Sequence, residues 1–275
     1  MESFIEFHSK SSGIYLSVKN VLYKKKTKYQ EILVFENEFF GRVLALDNLI
    51  MTTTKDEFIY HEMLSHVPMK SHPNPKSILI IGGGDGGTLR EVLKYPIDKA
   101  YLVEIDEEVI NVSKIFFPEL SKSFDDKRVK VIIMDAIEWV KKNNEKFDVV
   151  LIDSTDPIGI AEGLISESFL ENVKKLMNDI SAICIQSESP FYHLEILEKI
   201  YKTFKSVFSN AYVYTAPIPT YPGGYWSFTI SFLGLNAPEI RNQYIVENLK
   251  FYNNEIYKSC FSLPQFLKER IYGAN

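Results

Sequence analysis

Ser77-Ile78-Leu79-Ile80-Ile81-Gly82-Gly83-Gly84-Asp85-Gly86-Gly87 reads as a strand running into a glycine loop with a carboxylate at its centre. Gly82, Gly84 and Gly87 satisfy a G-x-G-x-x-G spacing after a strand, and Thr88-Leu89-Arg90-Glu91-Val92-Leu93 continues as a helix, the signature of a nucleotide-binding βαβ unit. Alone, this spacing is a weak signal. The carboxylate narrows it, because a pyrophosphate seated on the loop amides would meet Asp85, and like charges in contact are costly. A phosphate-free, cationic ligand fits the loop better.

Working outward, the chain after His72-Pro73-Asn74-Pro75 alternates strands with helices. Residues 77–82, 99–104, 128–134, 147–152 and 180–185 read as strands, mostly continuous apolar runs of the kind buried on both sheet faces. Helical patterns are expected at about 88–95, 106–116, 135–143, 165–178 and 191–205, with further strands at 210–216 and 226–234. This predicts an open α/β sheet of the Rossmann-like, methyltransferase type, whose ligands bind beyond the carboxyl ends of the strands. Before it, residues 13–54 alternate in short segments broken by Asn37-Glu38, Gly41 and Asp47-Asn48, which predicts antiparallel hairpins. The expected division is a small β-hairpin domain over 1–55 and a catalytic domain over 56–275. Lys24-Lys25-Lys26 reads as a solvated turn or a protected strand edge.

The 275 residues are 45% hydrophobic, enough for a sizeable core, and 36 acidic against 31 basic side chains give a formal net charge of −5. That balance gives no pull toward nucleic acid or an anionic membrane, and it suits cationic substrates. Cys184 and Cys260 are the only cysteines, and Met1-Glu2-Ser3-Phe4-Ile5-Glu6-Phe7-His8 lacks the features of a signal segment. The expectation is a cytoplasmic protein with reduced thiols and no membrane span.

Four acids fall where consecutive strands should end: Asp85, Glu104, Asp135 and Asp153. Any one of them has an ordinary explanation as a helix cap; four in register are harder to dismiss. Glu104 follows Gly84 by 20 residues, where a carboxylate can accept from ribose hydroxyls. Asp135 suits an adenine exocyclic amine, although a helix cap explains its position equally well. Asp153-Ser154-Thr155-Asp156-Pro157 places two acids at the sheet mouth, a site for ammonium groups, with an Asx-type turn as the structural reading of Asp156. His61 and His66 lie five apart rather than the four that share a helix face, so a zinc site is rejected, and no metal is expected.

In this order the residues resemble the spermidine synthase family of polyamine aminopropyltransferases. The resemblance spans nearly the whole chain: Tyr29-Gln30-Glu31-Ile32, Asp56-Glu57-Phe58-Ile59-Tyr60-His61-Glu62-Met63, His72-Pro73-Asn74-Pro75, the Gly-Asp loop, Asp153-Ser154-Thr155-Asp156-Pro157, Ile218-Pro219-Thr220-Tyr221-Pro222 and Leu263-Pro264. It implies transfer of an aminopropyl group from decarboxylated S-adenosylmethionine to putrescine, giving spermidine and methylthioadenosine, with that nucleoside as co-substrate and no tightly bound cofactor. Gly82, Gly84 and Asp85 would cradle it, Gln30 and Glu104 would hold its sugar, and Asp135 with the Ala136 backbone its adenine. Met134 and Ile160 depart from the family pattern beside that adenine. Asp153 is implied as proton acceptor, helped by Tyr60, Ser154, Thr155 and Asp156, with His61 and Tyr221 lining the acceptor channel and Trp226 either closing it or packing the core. A homodimer or homotetramer is implied, with the N-terminal β portion at the interface. Cadaverine and agmatine are alternative acceptors. An S-adenosylmethionine-dependent methyltransferase and a silent polyamine-binding protein are rival readings, opposed by Asp85 and by the Tyr60 and Asp153 pair respectively.

Overall fold

The computed structural model describes residues 2–155 and 159–273. Strands β1 (Glu2–Phe7) and β2 (Gly13–Val18) form an antiparallel pair. A four-stranded antiparallel sheet follows, β3 (Asn20–Lys26), β4 (Glu31–Asn37), β5 (Gly41–Leu46) and β6 (Leu49–Thr53), in sequential order. The lysine run lies on edge strand β3, where Lys24 pairs with Glu31 at 3.2 Å and Lys25 with Glu108 at 2.9 Å. Charged side chains of this kind protect an edge from further pairing.

Helix α1 (Glu57–Ser71) leads into the larger unit: β7 (Ser77–Gly82), α2 (Gly87–Leu93), β8 (Lys99–Glu104), α3 (Glu107–Phe116), the single turn α4 (Pro118–Ser121), β9 (Val129–Ile133), α5 (Ala136–Lys142) and β10 (Phe147–Asp153). It continues with α6 (Glu167–Lys175), β11 (Met177–Gln186), α7 (Leu194–Phe208), β12 (Tyr212–Ala216), β13 (Trp226–Leu233), α8 (Asn254–Ser259) and α9 (Gln265–Tyr272). The seven strands are ordered β12-β13-β11-β10-β7-β8-β9; those from β11 to β9 run parallel, and β13 pairs antiparallel with both β11 and β12. This is a Rossmann-like sheet preceded by an antiparallel β unit.

Both faces of the sheet are covered, which is why its strands read as unbroken apolar runs. Ile78 and Ile80 of β7 pack with Met63, Leu64 and Val67 of α1, while Leu79 and Ile81 point into a second core with Phe169, Leu170 and Phe204 from α6 and α7. The chain passes from β7 outward through β8 and β9, then returns to β10 on the other side of β7. Ligands of open α/β sheets sit at such a reversal.

Four expected boundaries move. The helix expected over 165–178 ends at Lys175, and the strand expected from 180 begins at Met177, because parallel pairing of Met177 with Phe147 draws those residues into the sheet. The helix expected at 191–205 runs from Leu194 to Phe208 and stops where Ser209 turns left-handed.

Candidate active site

Backbone geometry makes the floor of the site. The Gly83 amide donates to the Asp153 carbonyl at 2.9 Å, fastening the glycine loop to the end of β10. Gly82 has φ +82°, and a Cβ there would lie 2.1 Å from the Asp153 carbonyl oxygen; a Cβ on Gly84 would meet Glu104 Oε2 at 2.9 Å. Only glycine permits these approaches. The acids after β7, β8 and β10 are thereby drawn to one opening.

That opening is a cavity of about 390 Å³. Gln30, Gly82, Gly84, Asp85, Glu104, Asp135 and Ala136 line it, as do Tyr60, His61, Asp153, Ser154, Thr155 and Tyr221. Of the remaining residues singled out in the sequence, Asp156 lies outside the described residues, and Ile160 enters only as backbone of the 3₁₀ turn Gly159–Ile165. Asp135 is indeed a helix cap, its Oδ1 accepting from the Ile137 amide at 2.8 Å, and it lines the cavity as well. Gln30 reaches the site from the N-terminal unit, with Nε2 donating to Asp106 Oδ2 at 3.2 Å.

Tyr60 Oη donates to Asp153 Oδ1 at 2.7 Å, and burial, followed by the charge of Asp153, keeps the phenol protonated. Asp85 accepts from the Gly87 amide at 2.8 Å through Oδ1 and faces His61 Nε2 at 3.2 Å through Oδ2. The other nitrogen of His61, Nδ1, lies 2.6 Å from Glu57 Oε2. Burial opposes charge on His61, but Asp85 and Glu57 outweigh it and raise its pKa well above the ordinary value. Burial also opposes charge on Asp85, and there His61 wins, so Asp85 is held below the ordinary carboxylate range. Asp153 goes the other way, raised first by burial and then by Asp85. Two neighbouring carboxylates with proton affinities pushed apart can take an electrostatic and an acid–base role side by side.

His61, Asp85 and Asp153 place potential ligand atoms within 4.8 Å of one another. The His61 nitrogen facing them is committed to Asp85, and an imidazolium has no lone pair for a metal. The cluster is better suited to organic cations.

A smaller cavity of about 30 Å³ adjoins the first and shares Met51, Tyr60, Ser154, Thr155 and Tyr221 with it. Glu6, Gln186 and Trp226, with Leu49, Ile50 and Pro222, complete its wall. Trp226 is buried edge-on against Tyr221, with ring centroids 4.7 Å apart, so it packs the core and also lines this chamber. Sequence reasoning missed Glu6 and Gln186. The one signal for Glu6 was a single acid within the apolar run Phe4-Ile5-Glu6-Phe7, and nothing local marked Gln186.

The family model for the spermine/spermidine synthase domain matches residues 57–233, and that for the spermidine synthase tetramerisation domain matches residues 3–54. A polyamine aminopropyltransferase of Caldicellulosiruptor bescii is 43% identical over 98% of this chain and 97% of its own length, and one of Methanocaldococcus jannaschii is 42% identical over 98% and 94%. Among solved structures, a spermidine synthase in complex with the transition-state analogue AdoDATO superposes with a TM-score of 0.95 at 39% identity, covering 98% of this chain and 95% of that one. Spermidine synthase from Thermotoga maritima gives 0.93 at 38%, covering 99% and 94%. With both family models matched and identity sustained from end to end, the chain belongs to the spermine/spermidine synthase family of polyamine aminopropyltransferases and is a transferase.

Proposed function

We propose that this enzyme transfers the aminopropyl group of decarboxylated S-adenosylmethionine to putrescine. The observation that carries the reading is the pairing of Asp85 with Asp153 at the glycine loop, one carboxylate held low and the other raised, with Tyr60 hydrogen-bonded to the second. Gln30 and Glu104 hold the ribose, Asp135 and Ala136 the adenine, and Asp85 the ammonium of the aminopropyl arm. S-adenosylmethionine itself carries a carboxylate on that arm, which Asp85 repels; this disfavours the methyltransferase reading.

Putrescine extends from the smaller chamber past Tyr221 into the main cavity, where His61 stands, with Ser154 and Thr155, which line both, at its reacting end. Its distal ammonium meets Glu6, a buried carboxylate that lies 3.3 Å from His8 Nε2 and accepts from the Ile50 amide at 2.6 Å. The near ammonium gives a proton to Asp153, and the freed nitrogen lone pair attacks the carbon beside the sulfonium. The C–N bond forms as the C–S bond breaks, its electron pair stays on sulfur, and methylthioadenosine leaves. Alignment of nitrogen, carbon and sulfur can supply about 7–11 kcal/mol of the barrier reduction. No covalent enzyme intermediate is involved.

The same reading divides the chain at residue 55/56, assembles it as a homo-oligomer through the N-terminal unit, and locates it in the cytoplasm. Among the described residues no helix is long and apolar enough to cross a membrane, and Cys184 and Cys260 are free and buried.

The test is an amine panel with purified enzyme and decarboxylated S-adenosylmethionine, following methylthioadenosine release and identifying the polyamine by mass. Putrescine should react fastest and yield spermidine. Preference for cadaverine or agmatine would rename the acceptor, and silence with every amine would favour a binding protein. Asp153→Asn should lower kcat by about 10²–10⁴-fold, the usual worth of a general base, while nucleoside affinity changes only a few-fold. Near-normal turnover in that variant would remove Asp153 from the role.

A further inference from the structure

Behind the cavity wall, charges alternate in a buried row. Asp85 faces His61, His61 faces Glu57, and Glu57 is gripped by Arg90 through two parallel bonds, Nη1 to Oε1 at 3.0 Å and Nη2 to Oε2 at 2.9 Å. Arg90 is itself fixed by Glu91, whose Oε1 accepts from Nε at 2.7 Å. Glu57 is buried on α1, one turn before His61, and neither Glu57 nor Arg90 lines the cavity. Their contact with the site runs through the imidazole.

The ring has a carboxylate on each nitrogen. A neutral imidazole carries one N–H, so it can satisfy one of these partners and must turn a lone pair toward the other. The doubly protonated ring satisfies both. The charged or titratable groups facing His61 are Glu57 and Tyr60 from α1, Asp85 from the loop after β7, Arg90 from α2 and Asp153 from the end of β10. Arg90 opposes a cation there, but its bonds go to Glu57, which leaves the Glu57 carboxylate ionised and oriented on Nδ1. Gly87 closes the other side: a Cβ there would fall 2.2 Å from the ring, so the imidazole has no alternative seat.

We propose that Glu57, seated by Arg90, is a positioning residue that keeps His61 doubly protonated, and that this cation selects Asp153 rather than Asp85 as the carboxylate that takes the proton from the amine. The proposal rests on the reaction assigned above. Its physical content is that Asp85 forms an ion pair with the cation at 3.2 Å and accepts a hydrogen bond from the Gly87 amide, both of which favour its ionised form. Asp153 accepts from the neutral Tyr60 hydroxyl. Without the cation the two acids would compete for one proton, and the site would no longer distinguish the group that binds an ammonium from the group that deprotonates one.

The experiment begins with ¹⁵N-histidine-labelled enzyme free of substrate. There are five histidines, and His61→Gln assigns the resonance of interest. His61 should show two protonated ring nitrogens at pH 8, and Glu57→Gln should convert it to a neutral ring at that pH. A neutral His61 in the unsubstituted enzyme, or a charge state that Glu57→Gln leaves alone, would overturn the proposal. The second arm is the pH profile of kcat/KM for the amine. His61→Gln keeps a donor toward Asp85 but removes the charge, so the acid limb should move upward by about one pH unit, a tenfold loss on that limb. Glu57→Gln should move it the same way. An acid limb that stays in place in His61→Gln sinks the idea even if Glu57→Gln does not fold, since mere misplacement of the ring would lower kcat without shifting the profile. The NMR arm needs no substrate, so it separates a failure here from a failure of the acceptor assignment.

Discussion

Glu104 shows how much of the site's behaviour is set by burial at a single position. It ends β8, and its Oε1 accepts from the Asp106 amide at 2.9 Å. Burial raises its pKa to about 7, with the amides of Asp106 and Ile105 opposing but not overcoming the shift. Ribose hydroxyls donate, so they prefer the ionised carboxylate. Below about pH 7 the empty site carries a proton that must leave on binding. Affinity for the nucleoside should therefore fall as pH drops, approaching tenfold per unit, and be flat above that range. The sign for stability is the reverse: the folded chain holds this proton more tightly, so the contribution is full below the ordinary value of 4.5 and lost as pH rises through about 7. Titration calorimetry with methylthioadenosine between pH 5.5 and 8.5 checks this, because that ligand brings no ammonium to Asp85 or Asp153. A pH-independent affinity, or a pH dependence retained in Glu104→Gln, would refute it. The position of Glu104 was legible from its distance past the glycines. Its proton affinity was not, since its burial beside Gly84 in the cavity wall is a tertiary property.

At the scale of elements, the sheet was legible and α1 was not. Strands β7, β8 and β10 announce themselves because burial on both faces demands unbroken apolar runs. Helix α1 is also enclosed on nearly every side, all but Phe58 being buried, yet it carries Glu57, His61, Glu62, His66 and Lys70 inside the protein. Such a helix has no polar stripe to give the period away. Strand β1 was missed for a different reason: its partner β2 supplies the pairing, and Glu2-Ser3-Phe4-Ile5-Glu6-Phe7 does not alternate, because Glu6 is buried while Ile5 and Phe7 are exposed. The buried polar groups of α1 each have work to do. Glu62 accepts three backbone amides, those of Lys250, Phe251 and Tyr252, at 2.8, 2.8 and 2.7 Å. It thus ties the irregular segment before α8 to the helix that bears Tyr60 and His61. Glu62→Gln would set an amide NH₂ against one or two of those donors. The expected cost is about 2–3 kcal/mol, the penalty for buried donors left unsatisfied. Urea unfolding together with hydrogen exchange at 250–252 measures it; unchanged stability with retained protection would show that the segment is held by its aromatic packing alone.

At the scale of the whole molecule, the N-terminal unit faces two ways. In β1 and β2, Phe4, Glu6 and Leu16 point inward and are buried, whereas Ile5, Phe7 and Tyr15 are exposed, Ile5 lying opposite Tyr15 in the register. An outward apolar face on a two-stranded ribbon is what a second copy would cover, since single exposed aromatics are ordinary but a cross-strand cluster is not. The match of residues 3–54 to a tetramerisation domain supports the same use. The enzyme should therefore sediment at a multiple of its 31.8 kDa chain mass. Phe7→Asp combined with Tyr15→Asp places two charges on that face and should shift the population to smaller species without unfolding the larger domain, whose two cores lie elsewhere. Glu6 sits between Ile5 and Phe7 on the opposite side of the same strand and lines the smaller chamber, so the two faces of one strand can be tested together. If contact with a second copy holds β1 in place, the dissociated variant should show a raised KM for putrescine while methylthioadenosine binding, which the proposed function assigns to the main cavity, stays within about twofold. Sedimentation velocity paired with both measurements decides the matter: a double variant of unchanged mass removes this face from the interface, and dissociation with an unaltered KM uncouples Glu6 from assembly.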